Sequence, residues 1–277
     1  MKVQIFPIYK EYNFLENNSR EEIEKIIRNK VKKTVDGYAG FRKISYLVDY
    51  VWQQEAKVED LKRISEKLNE SGMEERILVL SKKCNKVLPT SKVNAFIFPF
   101  AKSRKSVKVI NDLHGVTAYT PWKNNFLLLL HPQKEWIKYL DMTIVHEFNH
   151  SVRMQYFTTK KKKWTILDCI VLEGLADNFV RQITGFIPTW ARPFPKNIEQ
   201  KIFKQIEEKM NQKVTYYNFH EKIGIMFGNK EFPQWSGYRI GYSIVNNFLL
   251  RNSKTTFQEL IKLSANEILE RSDYKRI

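Results

Sequence analysis

His146-Glu147-Phe148-Asn149-His150 is an H-E-x-x-H, set in a largely apolar stretch over residues 141–156. On a helix, positions i and i+4 share a face about one turn apart. The two imidazoles are therefore placed to bind one metal ion, for which Zn²⁺ is the usual guest. Glu147 lies about 100° round the helix from His146, a poor position for a third ligand and a good one for a base acting on water held at the metal. Met142, Ile144, Val145, Phe148, Val152 and Met154 surround the motif. That surround implies a buried helix, in which three bare polar side chains are costly without partners. The alternative for so short a motif is two core histidines beside a surface glutamate.

A hydrolytic zinc site needs a third protein ligand and an open fourth position. One motif class supplies a third histidine as H-E-x-x-H-x-x-G-x-x-H. Here Arg153 stands in the glycine place and Tyr156 in the histidine place, which excludes that class. Another takes a glutamate from the next helix. Residues 165–184 have helical length and apolar spacing. Within them Glu173 interrupts an apolar run, with Ile170, Val171 and Leu172 before it and Leu175 and Ala176 after, and Asp177 follows one turn on. Like charges at i, i+4 repel by a few tenths of a kcal/mol, which a nearby cation or its ligands would explain. Gly174 costs a helix about 1 kcal/mol relative to alanine and is tolerated where another backbone packs close. These residues assign Glu173 as the third ligand and Asp177 as acceptor of the outer N–H of a ligand histidine. The alternative is a solvated acidic edge. His220 is a competing ligand, although a lone histidine beside Phe219 ordinarily has a structural role.

His146 to His150 followed by Glu173-Gly174-Leu175-Ala176-Asp177 resembles the gluzincin pattern, H-E-x-x-H with E-x-x-x-D. With the later Gly237-Tyr238-Arg239-Ile240-Gly241-Tyr242, the chain is similar to the YjaZ-like bacterial family of predicted zinc-dependent proteases over roughly residues 90–255. The resemblance implies a gluzincin-like zinc metallopeptidase acting on peptides or proteins. It implies an α+β, mostly helical fold with a small mixed sheet, an H-E-x-x-H helix and a glutamate-bearing helix. It also makes residues 116–119 an edge strand above the site, and such an edge can hold an extended peptide through backbone hydrogen bonds. Peptide hydrolysis develops negative charge on the carbonyl oxygen, which phenol or guanidinium donors stabilise. Tyr238, Arg239 and Tyr242 are the nominees for that role; core packing of the two tyrosines is the alternative.

The elements that must position these groups follow from periodicity. Residues 1–17 read as an extended lead-in. Ser19-Arg20-Glu21-Glu22 is a capping box that opens a helix to about residue 35, which Gly37 and Gly40 break. Residues 41–56, 58–70 and 74–88 read as further helices, the last ended by Pro89. Residues 93–100, 115–120 and 125–130 read as strands, with a polar, basic loop over 101–114. Residues 197–211, a helix opening near Pro233 and residues 255–271 complete the helical count, while the aromatic stretch 214–233 gives no clear pattern. Residues 1–90 then form a helical support or lid, and residues 91–277 the metallopeptidase-like domain.

The 277 residues, 43% hydrophobic and 13% aromatic, are ample for a packed core. No apolar run reaches membrane-span length, and the start has no signal-like core. Cys84 and Cys169 read as reduced core thiols, which favours a cytoplasmic setting. A net charge of +17 invites a nucleic-acid partner, but the basic residues are scattered and no nucleic-acid-binding motif accompanies them. The dense run Lys160, Lys161, Lys162 and Lys163 reads as a solvated loop that can attract acidic partners. Two rivals to the peptidase remain at this stage. One is a non-catalytic regulatory or nucleic-acid/partner-binding protein with a structural or vestigial zinc site; the other is a zinc hydrolase of non-peptide substrates.

Overall fold

Phe126-Leu-Leu-Leu-Leu130 is too short for a membrane span and too evenly apolar for a half-exposed strand, so it belongs where both faces of a sheet are covered. The computed structural model, which describes residues 1–14, 19–32, 57–102, 107–157, 164–215 and 217–274, places it there. The expected helix over 41–56, Gly37, Gly40 and the lysine run at 160–163 lie outside the described residues. The chain divides into two compact units, Met1–Lys86 with Thr90–Met154, and Val87–Pro89 with Gln155–Ile277.

The first unit carries a four-stranded mixed sheet in the order β1-β2-β4-β3. Strand β1 (Lys2–Phe6) runs parallel to β2 (Lys92–Pro99), and β2 parallel to β4 (Asn125–Leu130). Strand β3 (Val116–Trp122) is antiparallel to β4 and forms one edge. Pro7 ends β1, and a 3-10 helix follows at Ile8–Phe14. Helices α1 (Arg20–Lys32), α2 (Val58–Glu70) and α3 (Met73–Val87) precede the central strands. The two middle strands meet at a buried polar point, where Asn94 Nδ2 donates to Asn125 Oδ1 at 2.8 Å. The expected loop over 101–114 is corrected in part: Val107–Asp112 forms a short helix, α4. Helix α5 (Trp136–Phe157) closes the unit.

His131 follows β4 and directs Nδ1–H to the Phe100 carbonyl at 2.8 Å. Burial lowers its pKa below 6.5 despite that hydrogen bond, with Lys102, Lys67 and Arg63 adding to the lowering. The imidazole is therefore neutral in the fold where it begins to protonate in the unfolded chain. Stability should fall as pH drops below about 6.5 toward the folded value, and this group should add no slope above that pH. Denaturant midpoints for wild type and His131→Gln are expected to differ by a constant amount above pH 6.5 and to converge below it. A constant difference at every pH would contradict the assignment.

The second unit is helical. Thr165 accepts from the Asp168 N–H, and the Asp168 side chain accepts from the Thr165 N–H, a capping box that opens α6 (Ile166–Thr184). Gly185 ends α6 at φ 79°, a left-handed position that glycine adopts at little cost. After the 3-10 turn Thr189–Ala191 come α7 (Lys196–Glu207), α8 (Phe219–Phe227), α9 (Ser236–Arg251), α10 (Phe257–Leu260) and α11 (Ala265–Ser272). The single helix expected over 255–271 is two, because Thr256/Glu259 and Ser264/Glu267 each form their own capping box. Among the described residues no helix is long and apolar enough to cross a membrane. The fold is α+β and mostly helical with a small mixed sheet, as expected. Both cysteines are free, and burial raises their thiols to about 12 for Cys84 and about 11 for Cys169, so neither ionises near neutral pH.

Candidate metal centre

Helix α5 buries a nearly unbroken run from Met142 to Arg153. Near its start Asp141 receives a two-pronged ion pair from Arg76 of α3, Nη2 standing 2.9 Å from Oδ2. Asn124, in the β3–β4 turn, donates its N–H to the Ser151 carbonyl at 3.1 Å and ties the other end to the sheet. His146, Glu147 and His150 are each no more than 6% exposed. Their candidate ligand atoms all lie within 4.8 Å of one another. The two imidazole rings stand 4.4 Å apart and nearly perpendicular, at 85°. Two buried imidazoles with a carboxylate beside them form a cluster compatible with a divalent cation such as zinc.

Thr120, buried on edge strand β3, donates its hydroxyl to Glu147 Oε2 at 2.6 Å. This bond holds the carboxylate against the strand. Tyr119, the preceding residue, is exposed on that edge. Sequence reading missed Thr120, since a pairing across 27 residues leaves no local signal.

Glu173 is half-buried on α6 and Asp177 is fully buried one turn on. One oxygen of Asp177 accepts the Trp190 indole N–H at 3.1 Å; Trp190, in the proline-rich connector, was another residue with no local signal. Helices α6 and α9 cross backbone against backbone. A Cβ added to Gly174 would lie 2.1 Å from the Gly241 carbonyl oxygen, and one added to Gly241 would lie 2.2 Å from that of Ile170. Asn178 bridges the crossing, its Nδ2 donating to the carbonyls of Gly174 at 2.8 Å and Tyr242 at 3.0 Å. The glycines of Glu-Gly-Leu-Ala-Asp and Gly-Tyr-Arg-Ile-Gly-Tyr are thus two halves of one contact.

The three nominees on α9 differ in setting. Tyr242 is buried, and its hydroxyl accepts from Arg181 Nη1 at 3.2 Å. Burial raises its pKa, and the Arg181 charge partly offsets that rise. Tyr238 packs edge-on against Trp235 at 5.2 Å. Arg239 lays its guanidinium over the Phe194 ring at 4.4 Å. His220 is exposed on α8 beside Phe219.

The model of the family described as "Predicted Zn-dependent protease (DUF2268)" matches residues 73–270, from the first residue of α3 to within α11. The chain belongs to this family. Similar relatives in Bacillus subtilis (strain 168) are the uncharacterized proteins YjfC and YjaZ. YjfC is 30% identical over 134 residues, 46% of this chain and 44% of YjfC. YjaZ is 29% identical over 118 residues, 41% of this chain and 43% of YjaZ. The matched region thus spans less than half the length of either relative. No solved structure matches. The predicted zinc dependence of the family and the His146–Glu147–His150 cluster are mutually compatible.

Proposed function

We propose that the chain is a zinc-dependent peptidase of gluzincin type. The observation that carries this is the clustering of three buried polar groups, His146, Glu147 and His150, on an otherwise apolar stretch of helix. In this reading His146 and His150 hold the ion and Glu173 supplies the third ligand, on the H-E-x-x-H and E-x-x-x-D pattern of the sequence. Zinc in such a set supplies Lewis acidity and brings the ionisation of water toward neutral pH. Glu147, oriented by Thr120, takes the proton of the water that attacks the scissile carbonyl carbon. As the C–N bond breaks, Glu147 passes that proton to the leaving amine. Asp177 supports the ligand set. Tyr238, Arg239 and Tyr242 are candidates for donors to the peptide, and edge strand β3 for its backbone partner. Residues 1–90 serve as support or lid.

Removal of the metal tests the reading. Hydrolysis of a mixed peptide pool is expected to stop on chelation and to return when zinc is restored. Cleavage that survives chelation, or no cleavage of any peptide by the zinc-loaded chain, would count against it.

A further inference from the structure

Arg239 stands in the first turn of α9 with no anion among the described residues to neutralise it. Its Nε is buried without a hydrogen-bond partner, and burial alone holds its pKa below the usual arginine value, with no carboxylate among the described residues offsetting it. An uncompensated, partly desolvated cation is costly to keep. The guanidinium is nevertheless fixed in place, stacked on Phe194, which Pro193 and Pro195 flank. The same end of α9 carries an aromatic cluster. The rings of Trp235 and Tyr238 are 5.2 Å apart, and Phe227 lies 5.5 Å and 5.7 Å from them. Phe227 is 41% exposed. Trp235 holds a left-handed backbone at φ 64°, uncommon for a bulky residue. Strain of this kind persists only where its surroundings over-determine it, and it gathers at ligand sites.

We propose that Arg239 and the Phe227–Trp235–Tyr238 cluster form a receptor for the C-terminal carboxylate of a peptide that ends in an apolar residue. The guanidinium fork matches two coplanar oxygens, and the aromatic faces take the adjoining side chain. Among the described residues no second cation perturbs Arg239, which suits a singly charged carboxylate better than a phosphate. Arg239 then binds substrate instead of donating to the scissile carbonyl. That the carboxylate belongs to a peptide rests on the proposed peptidase function; the receptor itself does not.

Three probes separate the possibilities: N-acetylphenylalanine, its α-amide, and N-acetylglutamate α-amide, which carries only a side-chain carboxylate. Binding is read from tryptophan fluorescence and calorimetry on the full chain after chelation, so that neither turnover nor coordination to metal contributes. N-acetylphenylalanine is expected to bind with Kd on the order of 1 mM, and both other probes about tenfold or more weakly. Arg239→Gln should bring it down to the level of the amide, and Arg239→Lys should recover part of the preference. Unfolding curves of the variants confirm an intact fold. Equal binding of acid and amide, a preference that survives Arg239→Gln, or no saturation by about 10 mM would overturn the receptor. Stronger binding of the glutamate probe would overturn the C-terminal assignment. A preference that depends on Arg239 in a chain without peptidase activity would uphold the receptor and reject the peptidase, whereas hydrolysis without the preference would do the reverse.

Discussion

Glu147→Gln is expected to lower peptide hydrolysis by about 10²- to 10⁴-fold while leaving the bound metal in place. The amide is nearly isosteric with the carboxylate, and Thr120 can still hydrogen-bond to its oxygen, so packing in this buried position should hardly change. What disappears is the capacity to take a proton. The helix geometry places Glu147 off the shared face of His146 and His150, so the two functions should separate cleanly. Turnover and metal content measured on the same preparation check this. Loss of the metal together with activity would make Glu147 a ligand and remove the general base from the mechanism.

Gly174→Ala and Gly241→Ala are each expected to destabilise the chain by about 1–3 kcal/mol, despite the roughly 1 kcal/mol that alanine gains over glycine inside a helix. Either new Cβ would fall near 2 Å from a backbone carbonyl oxygen of the opposing helix, 2.1 Å for Gly174 and 2.2 Å for Gly241. Neither atom it meets belongs to a flexible side chain, so relief requires α6 and α9 to move apart, which strains the Asn178 bridge. Thermal and denaturant unfolding measure the effect. A neutral or stabilising outcome would mean that the two backbones do not touch. The double variant should cost less than the sum of the singles, because one outward shift accommodates both methyl groups.

These cases show where the sequence spoke and where it fell silent. Helices α5 and α6 were legible because their apolar spacing is long and their polar interruptions are few. The unbroken run 126–130 announced a central strand for the same reason. Gly174 was legible as a cost to a helix, yet its partner Gly241 lies 67 residues away (241 − 174) and has no local signature. Thr120 and Trp190 were invisible because their roles are made by tertiary contacts to Glu147 and Asp177. Helix α4 escaped because its six residues follow a polar, basic run and are too few to establish a period. The break between α10 and α11 could have been read: Thr256-x-x-Glu259 and Ser264-x-x-Glu267 are two start signals inside what periodicity alone joins into one helix.

Metal content of the purified chain, measured by mass spectrometry beside Glu147→Gln and Glu173→Ala, tests the central claim most directly. The expected result is about one zinc per chain in wild type and Glu147→Gln, with loss in Glu173→Ala. A wild-type chain that takes up no metal when zinc is supplied would contradict the metal centre itself. Full retention in Glu173→Ala would remove Glu173 from the ligand set and with it the gluzincin reading.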